Sequence, residues 1–149
     1  MTSTQDTSLN NQPRFRVSTR PNAGTPLPVA DYRRLQHHLE QCEQSKDRGS
    51  SLLAYVLRDK IMMTDPVSNF QASDLVVGGS CVTYSVDRGP ARTGLLAHRA
   101  RAAHGISVIP VASLLGATLI GMQVGQRAPL LFENGSIKTV SVEGVTPPI

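Results

Sequence analysis

The sequence predicts an α+β protein, in which a short pair of helices precedes a mostly antiparallel sheet crossed by one further helix. Two hydrophobic periods indicate this class. Apolar residues first recur every three or four positions, as in an amphipathic helix, and later alternate every second position, as in a strand. Asn134-Gly135 adds a hairpin signal because this pair favours the positive φ angles of tight turns. A chain of 149 residues is also long enough to bury a hydrophobic core.

Residues 1–27 read as a flexible tail. The segment is rich in Thr, Ser, Asn, Gln and Pro and has few aliphatic residues, so it offers little apolar surface to offset the entropy of ordering. Arg14, Arg16 and Arg20 surround Phe15 within it. This basic stretch is consistent either with a solvated tail or with contact to a phosphate backbone or an acidic surface.

Residues 28–66 are predicted to form a short antiparallel helical hairpin. A first helix begins near Pro28 and has one apolar face, formed by Val29, Tyr32, Leu35, Leu39 and Cys42. Residues 45–49 interrupt the pattern, and a second helix carries Leu52, Leu53, Val56, Leu57 and Ile61. Asp65-Pro66 ends it, because the residue before proline disfavours helix.

Residues 67–149 are predicted to form the sheet domain. Val82, Tyr84 and Val86 alternate with polar residues, and residues 87–90 form a turn. The remaining elements are predicted to be strands at 93–98, 105–109, 128–132 and 136–145, and a helix at 111–120 that ends at Gly121.

Composition narrows the possible functions. The net charge of +4 permits an acidic partner without requiring nucleic acid. Cys42 and Cys81 fit neither a CxxC pair nor a metal spacing, and the adjacent His37 and His38 point in different directions on a helix. We find no signal peptide, membrane span, phosphate-binding loop or nucleophile elbow. The expectation is a reduced cytoplasmic protein without a cofactor, metal, membrane contact or small-molecule substrate.

Several short motifs follow one another in an order typical of a known family. They are Val76-Val-Gly78, Ile106-Ser-Val108, Leu119-Ile-Gly121, Val124-Gly125 and the final hairpin. Over residues 75–145 the chain resembles the C-terminal domain of the bacterial Gre transcript-cleavage factors and of their shorter relative Rnk, the regulator of nucleoside diphosphate kinase. The resemblance implies an FKBP-like sheet and RNA polymerase as partner. The chain departs from the family by having Gln126 where an acidic residue is common, and by about three extra residues between Ile106 and Gly121.

The length of the hairpin and the charges at its tip indicate which branch of this family the chain resembles. Gre factors insert a long helical hairpin into the polymerase secondary channel, where tip carboxylates help to hold Mg²⁺. A helix over residues 28–44 spans only about 25 Å. Its tip offers Glu43 and Asp47 next to Lys46 and Arg48, which does not reproduce the acidic tip. The chain therefore looks like the Rnk type, a binding module rather than an enzyme.

The resemblance and the charge pattern together suggest where a partner binds. The predicted partner-binding residues are Pro110, Ser113, Met122, Gln126, Arg99 and Arg101. The two arginines belong to a basic stretch between His98 and His104, which is extended by Arg88 and Arg92. This stretch is open to two interpretations, a solvated loop between strands or a contact to phosphate or to an acidic surface.

Two other functions remain open. A peptidyl-prolyl isomerase is suggested only by the FKBP-like fold, which is a poor guide to activity, and its pocket needs more aromatic lining than Tyr84 and Phe132 supply. A nucleic-acid-binding protein would use the basic tail and the Arg99 region. A whole-polymerase pull-down separates the polymerase-binding regulator from both alternatives.

Overall fold

Two helices near the start of the chain turn back on each other. The computed structural model describes residues 24–68, 73–99 and 107–148. Helix α1 (Val29–Gln44) begins after Pro28, and helix α2 (Arg48–Met62) follows a loop at residues 45–47. The buried residues of α1 are Asp31, Leu35 and His38, which share one face because they are spaced four and three apart. The predicted helices are confirmed, and two polar residues lie on the buried face.

A short parallel ribbon brackets the helices. Strand β1 (Thr25–Pro28) precedes α1, strand β2 (Thr64–Val67) follows α2, and the two pair in parallel from Thr25 opposite Thr64 to Pro28 opposite Val67. Leu27 is completely buried. The predicted tail therefore extends too far at its end, because residues 25–27 belong to the ordered fold. Residues 1–23, on which the rest of that prediction falls, lie outside the described residues.

The larger part of the chain forms a five-stranded sheet. The strands are β3 (Cys81–Val86), β4 (Arg92–Ala97), β5 (Val108–Pro110), β6 (Arg127–Leu131) and β7 (Ile137–Thr146). They lie in the order β5-β4-β3-β7-β6, and only the β4–β5 pair is parallel. The predicted α+β class with a mostly antiparallel sheet is confirmed.

The alternation predicted for β3 is interrupted. Val82 is buried as expected, but Ser85 is buried as well, whereas Tyr84 and Val86 are only half-buried. The pairing register of β3 with β7 shifts between Thr83 and Tyr84. A bulge of this kind changes which residues face inward, and hydrophobic alternation alone does not reveal it.

The helix that packs against the sheet is shorter than predicted. Helix α3 spans Leu114–Leu119 rather than residues 111–120. The Val111 amide donates to the Ala97 carbonyl at 2.8 Å, so the chain is still paired with β4 at this point. Ser113 then caps the helix. Gly121 adopts a left-handed φ of 88° after the helix, as the predicted turn requires.

The helices and the sheet share one hydrophobic core. Leu35 of α1 and Leu57 of α2 are fully buried in the same cluster as Leu96 of the sheet and Leu119 of α3.

The final hairpin turns through residues 133–135, with only Gly135 in the left-handed region, so its loop is longer than a two-residue turn. Within the described residues, no helix combines the length and the apolar character needed to cross a membrane.

Candidate partner-binding site

The start of α3 is held by a compact set of hydrogen bonds. The Ser113 hydroxyl donates to the Pro110 carbonyl at 2.6 Å and accepts from the Gly116 amide at 3.0 Å. A side chain at Gly116 would overlap the Pro110 carbonyl oxygen, so this close approach requires glycine. These contacts fix the start of the helix, where Leu114 and Leu115 line a groove against the sheet.

This groove has an apolar floor and a cationic rim. Its volume is about 460 Å³, and its apolar lining includes Tyr84, Val86, Leu114, Leu115, Leu130 and Phe132. The charged residues among its described lining are Arg92 and Lys138. The Lys138 ammonium lies 5.5 Å from the centroid of the Phe132 ring. Such a surface favours an apolar segment that also carries carboxylates. Tyr84 and Phe132 are the aromatic residues of this lining. Two aromatic side chains are fewer than a peptidyl-prolyl isomerase pocket is expected to need.

The predicted partner-binding residues are distributed unevenly around this groove. Pro110 and Ser113 are hydrogen-bonded to each other just before α3, whose first residues line the groove, but neither is itself a lining residue. Gln126 and Arg99 are exposed, but neither lines the groove, and Arg101 lies outside the described residues. Met122 is only 4% exposed, and its carbonyl accepts from the Val76 amide at 2.8 Å. The prediction for Met122 is wrong, because its side chain belongs to the core.

A buried polar chain, here called the histidine joint, links α1 to the end of β4. One carboxylate oxygen of Asp31 lies 2.6 Å from Nε2 of His98, and Nδ1 of His98 lies 3.1 Å from Nε2 of His38. The two imidazole rings stack with their centroids 5.3 Å apart. Burial, together with the charges of His98, His37 and Arg34, lowers the pKa of His38 to about 4. His38 is therefore neutral in the folded protein near pH 7.

The histidine joint was not predicted, although the sequence held one signal for it. Asp31 and His38 flank Leu35 on the apolar face of α1, where a buried polar pair needs a partner. That partner, His98, is 67 residues beyond Asp31 and was placed at the border of the basic stretch, for which no buried role was foreseen, yet its side chain is only 10% exposed. A Cβ at Gly78 would lie 2.5 Å from the Asp31 carboxylate, so this glycine makes room for the joint.

Helix α2 lies along the sheet domain and is held near both ends. The Lys60 ammonium donates to the carbonyls of Thr118 at 2.9 Å and of Ile120 at 2.7 Å, which satisfies the end of α3. Burial lowers the pKa of Lys60 to about 8. Near the other end of α2, a Cβ at Gly49 would lie 3.2 Å from the Glu133 carboxylate. The hairpin therefore packs on the domain instead of projecting from it.

The tip of the hairpin carries no cluster of carboxylates. Glu43 is paired with Arg58 at 2.9 Å, and both side chains are about half exposed. Asp47 stands before α2, where its carbonyl accepts from the Ser51 amide. No group of three or more His, Cys, Asp or Glu residues in the described ranges is arranged to hold a metal ion. The described tip thus offers isolated charges rather than a ligand set for Mg²⁺.

The fold is similar to that of a solved prokaryotic transcription elongation factor GreA/GreB from Nitrosomonas europaea. The match has a TM-score of 0.59 and 18% identity, and it covers 83% of this chain and 99% of that chain. Gfh1 from Thermus aquaticus matches with a TM-score of 0.42, 18% identity and coverage of 84% and 99%. GreA factor homolog 1 from Thermus thermophilus matches with a TM-score of 0.40, 17% identity and coverage of 83% and 99%.

The match to the elongation factor from Nitrosomonas europaea establishes a likeness of fold. The elongation factor from Nitrosomonas europaea is matched over almost its whole length, so the likeness includes the helices as well as the sheet. The predicted resemblance to Gre factors is thereby confirmed at the level of the fold. No protein-family model and no curated protein matches the chain.

Proposed function

We propose that this protein is a transcription regulator of the Gre and Rnk type that binds RNA polymerase near the secondary channel. The similarity of its fold to a transcription elongation factor, over 83% of this chain and 99% of that one, carries the proposal. We also propose an FKBP-like description of the sheet and a cytoplasmic location, both of which rest on the same likeness of fold.

We further propose that the protein does not stimulate transcript cleavage. Helix α1 has 16 residues and therefore spans about 24 Å. Glu43 is neutralised by Arg58, and α2 lies against the sheet domain at Gly49 and Lys60. A hairpin in this position presents no acidic tip to a distant catalytic centre. The short-hairpin Rnk type fits these features better than the cleavage factors do.

The groove beside α3 is the proposed docking surface for the polymerase. Its cationic rim of Arg92 and Lys138 complements an acidic partner, and its apolar floor provides surface to bury. Pro110 and Ser113 fix the start of α3, whose Leu114 and Leu115 line the groove. Gln126, Arg99 and Arg101 are proposed as outer contacts beyond the groove.

A binding assay with core RNA polymerase tests this function. The full chain should bind core polymerase, should compete with a Gre factor for the channel entrance, and should leave backtracked transcripts uncut. Binding should weaken as salt rises, because exposed charges contribute to the contact. Failure to bind at low salt would overturn the function, and factor-dependent cleavage would overturn the non-cleaving mechanism.

Charge reversals locate the surface. Lys138→Glu and Arg92→Glu should each weaken polymerase binding by about tenfold or more, since like charges then face the acidic partner. Arg33→Glu is the matched control, because Arg33 is an exposed arginine on α1 that does not line the groove. Equal losses for all three variants would show a general charge effect and would remove the groove from the proposal.

A further inference from the structure

The turn after β3 holds an arginine in a conformation that suits glycine. Asp87 has a φ of 51° and Arg88 a φ of 63°, and the Gly89 amide donates to the Val86 carbonyl at 2.8 Å to close the turn. Left-handed φ values at both central residues are typical of a hairpin turn that usually contains Asn and Gly. A side chain with a Cβ is disfavoured here, so the guanidinium of Arg88 is retained at a conformational cost.

The turn is fixed to β7 through Asp87. Its amide donates to the Thr139 carbonyl at 2.8 Å, and its carboxylate Oδ1 accepts from the Thr139 amide at 2.8 Å. One carboxylate oxygen is therefore engaged by the backbone, which holds Asp87 in place against β7 while its negative charge remains. The same two bonds hold Arg88 beside the exposed part of β7.

Arg88 and Arg127 face a common depression. The depression has a volume of about 350 Å³ and is lined by Asp87, Arg88, Arg127, Thr139 and Ser141. Arg127 on β6 stands directly opposite Ser141 on β7. Within the described residues, the ion pairs closer than 4.0 Å are those of Arg58 and His98, so neither lining arginine is paired with a carboxylate. Two guanidinium groups and two hydroxyls thus converge around one partly engaged carboxylate.

We propose that this depression binds a phosphate group. Guanidinium groups donate paired hydrogen bonds to phosphate oxygens, and Ser and Thr hydroxyls donate further bonds. The phosphate belongs either to a free phosphate ion or to the phosphodiester backbone of RNA. The depression shares no lining residue with the groove, although Gly89 and Pro90, which follow Arg88 in the chain, line the groove.

Titration of the full chain, followed by amide resonances, tests the site. One arm adds inorganic phosphate at constant ionic strength, and the other adds a short single-stranded RNA. We expect saturable shifts at Arg88, Arg127, Thr139 and Ser141 in at least one arm. If RNA saturates the shifts at a lower concentration of phosphate groups than inorganic phosphate does, the site binds the RNA backbone. If only inorganic phosphate saturates them, the site binds the free ion. Shifts that do not saturate in either arm, or that are equally large at Arg33, would overturn the proposal.

Substitutions in the turn separate binding from folding. Arg88→Gly should melt at the same or a higher temperature, because glycine accepts the left-handed φ, yet it should lose about tenfold or more in phosphate affinity. Arg127→Gln should show a similar loss, and Arg33→Gln should bind as the unmodified protein does. If Arg88→Gly folds and binds phosphate without loss, the site is refuted.

One further substitution should act in the opposite direction. Asp87→Asn keeps an oxygen to accept from the Thr139 amide and tolerates a positive φ, but it removes the negative charge from the depression. We expect phosphate to bind several-fold more tightly to this variant. Unchanged or weaker binding in a folded Asp87→Asn variant would contradict an anion site beside this carboxylate.

Discussion

Acid should destabilise this protein through His38. The pKa of His38 is about 4 in the folded state, against 6.5 for an ordinary histidine, so the unfolded chain binds more protons between these two values. The stabilisation is fully present above pH 6.5 and is lost as the pH falls toward 4. One pKa unit corresponds to about 1.4 kcal/mol, which gives an upper limit of about 2 kcal/mol lost between pH 7.5 and pH 5. Partial access of water to the ring reduces that figure.

Denaturant unfolding at several pH values measures this loss. Carboxylates also titrate below pH 5, so the informative quantity is the difference in unfolding free energy between the unmodified protein and His38→Gln at each pH. That difference should shrink by about 1–2 kcal/mol between pH 7.5 and pH 5, because glutamine does not titrate. His37→Gln is the matched control, since His37 is the exposed neighbour on the same helix. A difference that stays constant with pH would refute the reasoning.

Three substitutions and one control, Gly135→Ala, test the packing around α3 by thermal and denaturant unfolding. Leu119→Ala should cost roughly 2–5 kcal/mol because Leu119 is fully buried, and a silent substitution would contradict the placement of the helix. Gly116→Ala should cost about 1–3 kcal/mol or more because its Cβ would overlap the Pro110 carbonyl, whereas Gly135→Ala meets no neighbouring atom and should show only the cost of its left-handed φ. Lys60→Met should cost about 1–3 kcal/mol per carbonyl left without a donor, and an unchanged stability would show that water replaces the ammonium.

Local sequence patterns predicted those elements in which apolar residues recur over several turns of a helix or along a strand. Helices α1 and α2 have apolar faces of the right period, and both form close to the expected bounds. The β1–β2 ribbon was missed because its strands are four residues long and contain prolines, which leaves no alternation to detect. Helix α3 was predicted too long because the sequence does not reveal that the Val111 amide pairs with the Ala97 carbonyl.

The candidate sites were less predictable because they depend on contacts between distant residues. Pro110 and Ser113 are three positions apart, so a local motif was enough to bring them together. The groove joins α3 to residues of four strands, and the histidine joint spans 67 positions. Met122 was named as a partner contact, and a single residue after a glycine turn gives no sign that its side chain points into the core.

The orientation of the hairpin relative to the groove follows from the kind of contact that holds it. Apolar packing of Leu35 and Leu57 has little directional preference, so alone it would tolerate a shifted hairpin. The histidine joint and the Lys60 bonds are directional, and moving α1 or α2 would leave buried imidazole, carboxylate and carbonyl groups without partners. Because Lys60 bonds the end of the helix whose first turn lines the groove, the position of the hairpin is coupled to that of α3 and hence to the groove.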